Sequence, residues 1–299
     1  MCRHNILVLG SSNTDLTVRV PSFPKSGESV IGNEFFVGAG GKGANQAVAA
    51  ARLGGSVSLV CKVGRDRFGD DTIQAYKAEG LDTSLVLRSN YPTGVAVIGV
   101  DASGENRIMT APGANQDFTA KDILALTDIV KKSDILLIQL EIPIIAVLTA
   151  AKLAAEAGVY VVLNSAPYSP VPEELFQYVD LFIPNEIELG AFSGIEVSDL
   201  DTAKEACLAM VAKGVKKIIV TLGAKGSMIY DGKEFMQIPA EAVEAVDSTA
   251  AGDTYCGALC VALSEGASLA DAARFATHAA SISVTRAGAQ TSMPYRKEL

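Results

Sequence analysis

The apolar residues of this chain fall into short continuous runs, separated by longer segments in which apolar positions recur at helical spacing. A continuous run is typical of a strand that is buried on both faces of a parallel sheet. Such runs predict strands at residues 6–9, 57–63, 135–140, 160–163, 181–183 and 218–221. The intervening segments predict helices at 41–53, 67–79 and 200–213, one from Pro143, one from Asn185, and two within 250–286 that separate near Gly266.

This alternation of strands and helices predicts the fold class. Consecutive βα units form a mostly parallel sheet that is covered by helices on both faces. We therefore expect an α/β fold, a three-layer αβα sandwich with a Rossmann-like central sheet. We expect residues 1–299 to form a single domain.

Two segments break the alternation. Residues 29–37 predict a strand, and residues 94–110 predict a hairpin whose strands, 95–100 and 106–110, flank a turn at 101–104. We expect a small β-sheet lid, formed by about 14–37 and 93–111, over the carboxyl end of the main sheet, where ligands of parallel sheets bind. The alternative is an antiparallel extension of the edge of the main sheet.

Charge and cysteine usage narrow the partners and the compartment. The 299 residues carry 25 basic and 34 acidic side chains, a net charge of −9, and no basic run predicts a nucleic-acid partner. The most apolar stretch, 134–155, is interrupted by charged residues and proline, and the first residues do not resemble a signal peptide, so no membrane partner is expected. Five cysteines without a framework spacing, and only His4 and His278, favour a cytoplasmic protein without a zinc site.

The polar segment 247–254 leads directly into a predicted helix. Its small residues allow close approach of a ligand, and the amides of Ala251, Gly252 and Asp253 at the helix start predict an anion hole for a phosphoryl group. Asp253 is then either a catalytic base for phosphoryl transfer or a helix cap.

The glycine-rich segment 38–46 contains the pattern G-x-G-x-x-G, which also occurs in NAD-binding turns. That turn should follow the first core strand, and an acidic residue should end the next strand, but neither condition holds here. A phosphate-binding P-loop is also missing its leading glycine and its Ser or Thr. We interpret the glycines as admitting a hydroxylated ligand beside the backbone, with Asn45 on the inward face of the helix.

Further polar residues follow the predicted strands. Asn13, Asp15 and Glu141 could bind the hydroxyl groups of a sugar. Asn185 and Glu188 lie on one helix face and could hold the water shell of Mg²⁺. The glycine-rich turn from Thr221 to Gly226 suits contact with a nucleotide.

Together these segments resemble the ribokinase family of sugar kinases along essentially the whole chain. The resemblance is carried by residues 40–47 (GGKGANQA) with 52–54 (RLG), and by residues 247–254 (DSTAAGDT). It implies ATP-dependent phosphorylation of D-ribose at the 5-hydroxyl, with Asp253 as the base. The sugar-binding residues implied are Asn13, Asp15, Gly41, Lys42, Asn45, Glu141 and Asp253.

The resemblance also implies cofactors and an assembly. ATP with Mg²⁺ would be bound by Asn185, Glu188, Thr221, Gly223, Gly226, Gly252 and Thr277. An activating monovalent cation, usually K⁺, would lie near Asp247, Thr249, Ser283, Arg286, Gly288 and Ser292. The lids would pair in a homodimer. The chain departs from the family pattern at Thr277, where many members carry His, and at Tyr255, where Phe is usual.

Three alternatives remain open at this point. The chain could be a kinase of the same family acting on a nucleoside, fructose or deoxyribose. It could be an NAD-dependent oxidoreductase, indicated only by the Gly38 pattern. It could also be a regulator that binds sugar without catalysis.

Overall fold

A nine-stranded sheet forms the centre of the molecule. The computed structural model describes residues 5–299. Cys2 and His4, which are included in the cysteine and histidine counts, lie outside the described residues. The strand order is β13-β12-β11-β10-β9-β8-β1-β4-β5. The strands, in chain order, are β1 (Asn5–Leu9), β4 (Ser56–Gly64), β5 (Val86–Ser89), β8 (Ile135–Ile138), β9 (Tyr160–Asn164), β10 (Leu181–Ile183), β11 (Lys217–Thr221), β12 (Ser227–Tyr230) and β13 (Phe235–Ile238). Every neighbouring pair from β11 to β5 is parallel, and only β12 and β13 add antiparallel pairs at one edge.

A separate four-stranded sheet has the order β3-β2-β6-β7. It consists of β2 (Asn13–Arg19), β3 (Glu34–Gly40), β6 (Gly94–Val100) and β7 (Asn106–Ala111). β2 pairs parallel with β6, and the two outer pairs are antiparallel. The predicted hairpin is therefore confirmed, and the alternative of an extension of the main sheet is wrong. We call this second sheet the small sheet.

Nine helices cover the main sheet within residues 5–299. They are α1 (Lys42–Arg52), α2 (Arg67–Ala78), α3 (Ala120–Ala125), α4 (Thr127–Lys131), α5 (Ile144–Glu156), α6 (Glu186–Ser193), α7 (Leu200–Ala212), α8 (Ala251–Ser264) and α9 (Leu269–Ser283). Within the same part of the chain, none of them combines the length and the apolarity that a membrane crossing requires.

Two hydrophobic clusters lie on opposite faces of the main sheet. Because side chains alternate along a strand, Ile6 and Val8 of β1 enter one cluster while Leu7 and Leu9 enter the other. Helices α1, α2, α8 and α9 pack on the first face, and α3 to α7 pack on the second. The three-layer αβα sandwich is confirmed.

The prediction of a strand over 29–37 was wrong in its position. β3 begins at Glu34 because it pairs with β2 in a register that runs from Asn13 opposite Gly40 to Arg19 opposite Glu34. Because β2 ends at Arg19, it offers no residue for pairing with the chain before Glu34. The chain between β2 and β3 contains a turn around Gly27, which has a φ of 79°.

Candidate active site

The polar residues that follow the strands meet at the carboxyl edge of the main sheet. From β1 the chain first reaches β4 on one side and later β8 on the other, so the strand order reverses at β1. Ligands of open α/β sheets bind at such a reversal. The small sheet leaves the main body here, since β2 begins only four residues after β1 ends.

The glycine-rich segment brings the start of α1 against the turn after β1. A Cβ placed on Gly43 would lie 2.7 Å from the backbone of Gly10, and one on Gly41, whose φ is 87°, would lie 2.8 Å from the nitrogen of Asn13. The absence of a side chain at both positions therefore allows the start of α1 to pack against the turn after β1, and contact of these glycines with a hydroxylated ligand stays a prediction. Gly38 and Gly40 lie in β3, so the G-x-G-x-x-G pattern forms no dinucleotide-binding turn.

Asp253 lies in the first turn of α8 and its side chain is buried. Its two carboxylate oxygens accept hydrogen bonds from consecutive residues of α1. Asn45 Nδ2 donates to Oδ2 at 3.0 Å, and Gln46 Nε2 donates to Oδ1 at 2.9 Å. Asp253 is thus not the cap of its own helix: α8 begins after Ala250, which has a left-handed φ of 59° and no capping side chain.

The start of α8 leaves two backbone N–H groups available. Among residues 5–299, the amides of Gly252 and Asp253 have no hydrogen-bond acceptor, whereas the amide of Ala251 donates to the carbonyl of Ser248 at 3.2 Å. The predicted set of three free amides was therefore wrong for Ala251. A Cβ on Gly252 would meet no atom within 4 Å, so the space in front of it is open. An anion placed there would meet two N–H donors and the positive end of the helix dipole.

On one side of Asp253 lies a cluster of three predicted sugar-binding residues. The Asn13 side-chain oxygen accepts from Asn115 Nδ2 at 2.7 Å, and Glu141 accepts from the hydroxyl of Ser11 and, at 3.0 Å, from the backbone amide of Lys42. Burial, reinforced by the negative charges of Glu141 and Asp253, raises the pKa of Asp15 to about 7.

On the other side a cavity of about 240 Å³ opens between α8 and the ends of β9, β10 and β11. Lys42, Asp253, Gly252 and several residues predicted to bind nucleotide line it together: Asn185, Glu188 and Thr221. The carboxylate of Asp253 raises the pKa of the Lys42 ammonium, against the effect of burial. Lys42, predicted as a sugar-binding residue, therefore lies at the boundary between the two sides.

Asn185 and Glu188 form a capping box at the start of α6. Asn185 Oδ1 accepts from the Glu188 amide at 2.8 Å, and Glu188 Oε2 accepts from the Asn185 amide at 3.0 Å. Glu188 Oε2 also accepts from the hydroxyl of Ser165 at 3.2 Å. Among residues 5–299 this leaves Glu188 Oε1 without a hydrogen-bond partner.

The remaining nucleotide predictions lie in different settings. Gly223 and Gly226 flank the turn after β11, with φ of 55° and 91°, and a Cβ on Gly226 would collide with the carbonyl of Ile238. Thr277 is buried in α9, where its hydroxyl donates to the carbonyl of Ala273 at 2.8 Å, and it does not line the cavity. The neighbouring His278 instead contacts Glu241 at 2.9 Å.

The residues predicted to hold a monovalent cation are partly brought together. Asp247 accepts from the amides of Thr249 and Gly288, both at 2.9 Å. Burial opposes ionisation of Asp247, but the hydrogen bonds from the Thr249 side chain and from the amides of Gly288 and Thr249 prevail and hold its pKa below the ordinary value. The other predicted members close local turns: Ser283 Oγ donates to Ala280, Ser292 Oγ donates to Ala289, and Arg286 pairs with Glu298 at 2.8 Å.

Sequence reasoning missed several polar residues around Asp253. They are Ser11, Gln46, Asn115, Gln139, Asn164 and Ser165, all of them buried. A signal was available for two of them, since Gln139 and Asn164 interrupt apolar runs at the ends of β8 and β9, as Glu141 does.

Comparisons with known proteins agree with this site. The model of the pfkB family carbohydrate kinases matches residues 3–296. The chain is 42% identical to ribokinase of Haemophilus influenzae, over 99% of this chain and 97% of that protein. It is 36% identical to deoxyribokinase of Salmonella typhi, over 97% and 95%. The structure of Arabidopsis thaliana ribokinase complexed with ribose and ATP is 35% identical, has a TM-score of 0.92, and is matched over 99% of this chain and 97% of that one.

The fold and the site define the class of protein, an ATP-dependent α/β phosphotransferase. The chain belongs to the pfkB family of carbohydrate kinases. The NAD-dependent oxidoreductase alternative is therefore wrong, for the physical reason that its glycines lie in a strand of the small sheet.

Proposed function

We propose that this protein transfers the γ-phosphoryl group of ATP to the 5-hydroxyl of D-ribose, giving D-ribose 5-phosphate and ADP. One observation carries the proposal: the Asp253 carboxylate lies beside two free N–H groups at a helix start, between the cluster of Asn13, Asp15 and Glu141 and the cavity. A relative named ribokinase, 42% identical to this chain with nearly full coverage, supports ribose as the acceptor.

In this mechanism Asp253 accepts the proton of the sugar hydroxyl as the sugar oxygen bonds to the γ-phosphorus. The bond between that phosphorus and the bridging oxygen breaks, and ADP leaves with the bonding electrons. The Gly252 and Asp253 amides donate to the oxygens of the phosphoryl group in transfer, where negative charge is spread. Lys42, which lines the same cavity, adds a positive charge.

The sugar would be held by Asn13, Asp15, Gly41, Asn45 and Glu141. Carboxylates and amide oxygens accept hydrogen bonds from sugar hydroxyls. The raised pKa of Asp15 reflects the burial of its carboxyl group, to which a sugar hydroxyl would supply a polar partner. Gly41 would contribute through its backbone atoms. It has no side chain, and a Cβ at this position would collide with the backbone of the turn after β1.

ATP and Mg²⁺ would occupy the cavity side. The oxygen-only donor set suits this ion, which keeps most of its waters, and Glu188 Oε1 is free to accept from one of them. Asn185, Thr221, Gly223, Gly226 and Gly252 would contact the nucleotide. Bound Mg²⁺ would neutralise charge on the phosphates. Thr277 would serve only through the packing of α9, since its hydroxyl is engaged within the helix.

We further propose a monovalent cation, K⁺, at the loop of Asp247, Thr249 and Gly288, with carbonyl oxygens near Ser283, Arg286 and Ser292. Hard cations prefer oxygen ligands, and this segment precedes the anion hole directly. The small sheet would act as a lid and as the interface of a homodimer. The buried free thiols of Cys61, Cys207, Cys256 and Cys260 support a cytoplasmic location.

Substitution of Asp253 by Asn tests the proposal. It removes the proton acceptor and preserves the shape of the side chain, so kcat for ribose should fall by ~10²–10⁴, the worth of a positioned base. The measurement is coupled ADP release at saturating ATP and ribose, with thermal denaturation as the control for folding. Native turnover in the variant would contradict the role of Asp253.

A panel of acceptors tests the substrate. Ribose, 2-deoxyribose, fructose and a nucleoside are compared by kcat/KM under the same conditions. Ribose should be preferred, while a preference for 2-deoxyribose would assign the chain to the activity of its deoxyribokinase relative. Binding of ribose without ADP release in any arm would favour the non-catalytic regulator.

A further inference from the structure

Two chains of side-chain amides converge on the carboxylate of Asp253. The inner amides, Asn45 and Gln46, donate to its two oxygens. Each inner amide accepts in turn from a glutamine of another element: Gln290 Nε2 donates to Asn45 Oδ1 at 3.1 Å, and Gln139 Nε2 donates to Gln46 Oε1 at 2.7 Å. We call Gln139 and Gln290 the outer glutamines.

The outer glutamines, together with Asn164 Oδ1, which accepts from Gln46 Nε2 at 2.9 Å, fix which way the inner amides face. A side-chain amide has one oxygen that accepts and one nitrogen that donates. Because an outer glutamine donates to the oxygen of Asn45 or Gln46, the nitrogen of that residue is turned toward Asp253. The carboxylate then accepts at both oxygens, which favours a single orientation of the side chain.

Burial of the Gln139 side chain costs folding stability. It is fully buried directly after the apolar strand β8, and its Oε1 has no hydrogen-bond partner among residues 5–299. A buried acceptor without a partner destabilises the folded state, whereas an apolar side chain of similar length would not. The only hydrogen bond of the Gln139 side chain within the described residues leads to Gln46, and through it to Asp253.

We propose that Gln139 and Gln290 are positioning residues, which hold the Asp253 carboxylate in one orientation, aimed at the sugar hydroxyl, through Gln46 and Asn45. This inference rests on the proposed role of Asp253 as the base. Neither outer glutamine lines the cavity, so each acts only through its inner amide.

The charged and titratable groups around Asp253 stay the same when an outer glutamine is replaced. The groups that interact with it or with its neighbour Lys42 are Lys42 from α1, Asp15 from β2, Glu141 after β8, Glu188 from α6 and Cys256 from α8. A fall in kcat would therefore report the loss of amide support and not a change in the local charge.

The test replaces each outer glutamine by methionine, which has a similar length and no donor. For Gln139→Met and Gln290→Met we expect kcat to fall about tenfold, a part of the worth of a positioned base, with both KM values within about twofold. This split between kcat and KM is the readout of positioning. Thermal denaturation of Gln139→Met should occur near the native temperature, because the variant removes one unpartnered buried acceptor, Gln139 Oε1, and leaves another, Gln46 Oε1.

Ser133→Ala is the matched control. It removes another buried hydrogen bond, from the Ser133 hydroxyl to the Ile129 carbonyl, far from Asp253 along the fold. The control should leave kcat at its native value. If Gln139→Met behaves like Ser133→Ala, or loses kcat together with thermal stability, the positioning role is overturned.

The same substitutions in the Asp253→Asn variant separate the two proposals. With no carboxylate to hold, Gln139→Met and Gln290→Met should lower the residual kcat no further. If Asp253→Asn retains native turnover, the proposed function fails. If Asp253→Asn loses turnover but the outer glutamine variants keep the native kcat, only the positioning role fails.

Discussion

At the scale of single residues, two glycines of α8 have opposite surroundings. A Cβ on Gly257 would lie 2.7 Å from the carbonyl of Gln46 and 2.8 Å from the Ala49 side chain, so this glycine allows α1 and α8 to pack closely. A Cβ on Gly252 would meet no protein atom within 4 Å. The open space at Gly252 is therefore available to the phosphoryl group of the proposed mechanism.

Gly252→Ala should separate activity from stability. The variant should melt at the native temperature or higher, since alanine in a helix is favoured over glycine by up to about 1 kcal/mol. Its methyl group would obstruct the phosphoryl group at the anion hole, so kcat/KM for ATP should fall about 10²-fold. Steady-state kinetics and thermal denaturation measure the two effects. Gly257→Ala is the control and should lose about 1–3 kcal/mol of stability from overpacking.

Asp15 should make folding stability depend on pH. Its pKa is raised from 3.8 to about 7 by burial and by the charges of Glu141 and Asp253. A raised pKa stabilises the fold fully below pH 3.8, and that contribution is lost as the pH rises to about 7. Asp15→Asn stays neutral, so the variant should gain stability relative to the native protein between pH 5 and pH 8.

The gap from 3.8 to about 7, at about 1.36 kcal/mol per pH unit, limits this gain to about 4 kcal/mol. Urea denaturation at several pH values measures it. Asp71→Asn, at an exposed position, is the control and should show no such trend. Parallel curves for the native protein and Asp15→Asn would contradict the raised pKa.

At the scale of elements, Asp66 joins a helix of the main body to the small sheet. Its side chain caps α2 by accepting from the Gly69 amide at 2.9 Å. It also accepts from the amide of Thr93 at 2.8 Å and from its hydroxyl at 2.6 Å, immediately before β6. One carboxylate therefore anchors both α2 and the start of a small-sheet strand.

Asp66→Ala should cost about 1–2 kcal/mol of unfolding free energy at pH 7, the upper part of the range for a lost cap. Burial opposes ionisation of Asp66, but the hydrogen bonds from Thr93 and Gly69 prevail and lower its pKa. A lowered pKa gives stability that is present above pH 3.8 and lost as the pH falls below it, so native protein and variant should converge near pH 3. Urea titrations at both pH values measure this. Asp199→Ala, which removes a cap confined to α7, should cost less.

The elements differ in how far the sequence predicted them. Continuous apolar runs identified six parallel strands of the main sheet, because burial on both faces leaves few polar positions in them. Strands β5, β12 and β13 and helices α3 and α4 were missed because they are short, and β13, α3 and α4 also mix buried with exposed positions. β3 was displaced because its ends depend on its pairing with β2, which no local pattern records.

The residues of the site were predicted to a similar extent. Polar residues at the strand ends could be found from the sequence, because burial of a charged or amide side chain beside an apolar strand costs free energy unless the side chain has a polar partner. The partners of Asp253 could not be found in this way. Whether Gln46 or Asn45 reaches that carboxylate depends on how α1 packs against α8, a contact between segments about 200 residues apart in the chain.

At the scale of the whole molecule, the two faces of the small sheet have different surroundings. Asp15 lies opposite Gly38 and Ala96, and this face adjoins the proposed sugar site. Residues of alternate register lie on the other face. That face is apolar and exposed, with Phe35 at 61%, Val37 at 55%, Val97 at 36% and Met109 at 69% of full exposure. An apolar surface of this kind favours contact with another protein surface, in keeping with a lid-mediated homodimer.

Met109→Lys should therefore convert a dimer into a monomer. Burial of an apolar side chain in an interface contributes about 1.5–3 kcal/mol, and an unpaired charge in its place opposes association. Ile108 is the matched control, because it precedes Met109 in β7, is 55% exposed and lies on the opposite face of the small sheet. Light scattering during gel filtration, at micromolar protein, should give a dimer for the native chain and Ile108→Lys and a monomer for Met109→Lys. A monomeric native chain would contradict the homodimer. Dissociation by Ile108→Lys alone would place the interface away from the apolar face.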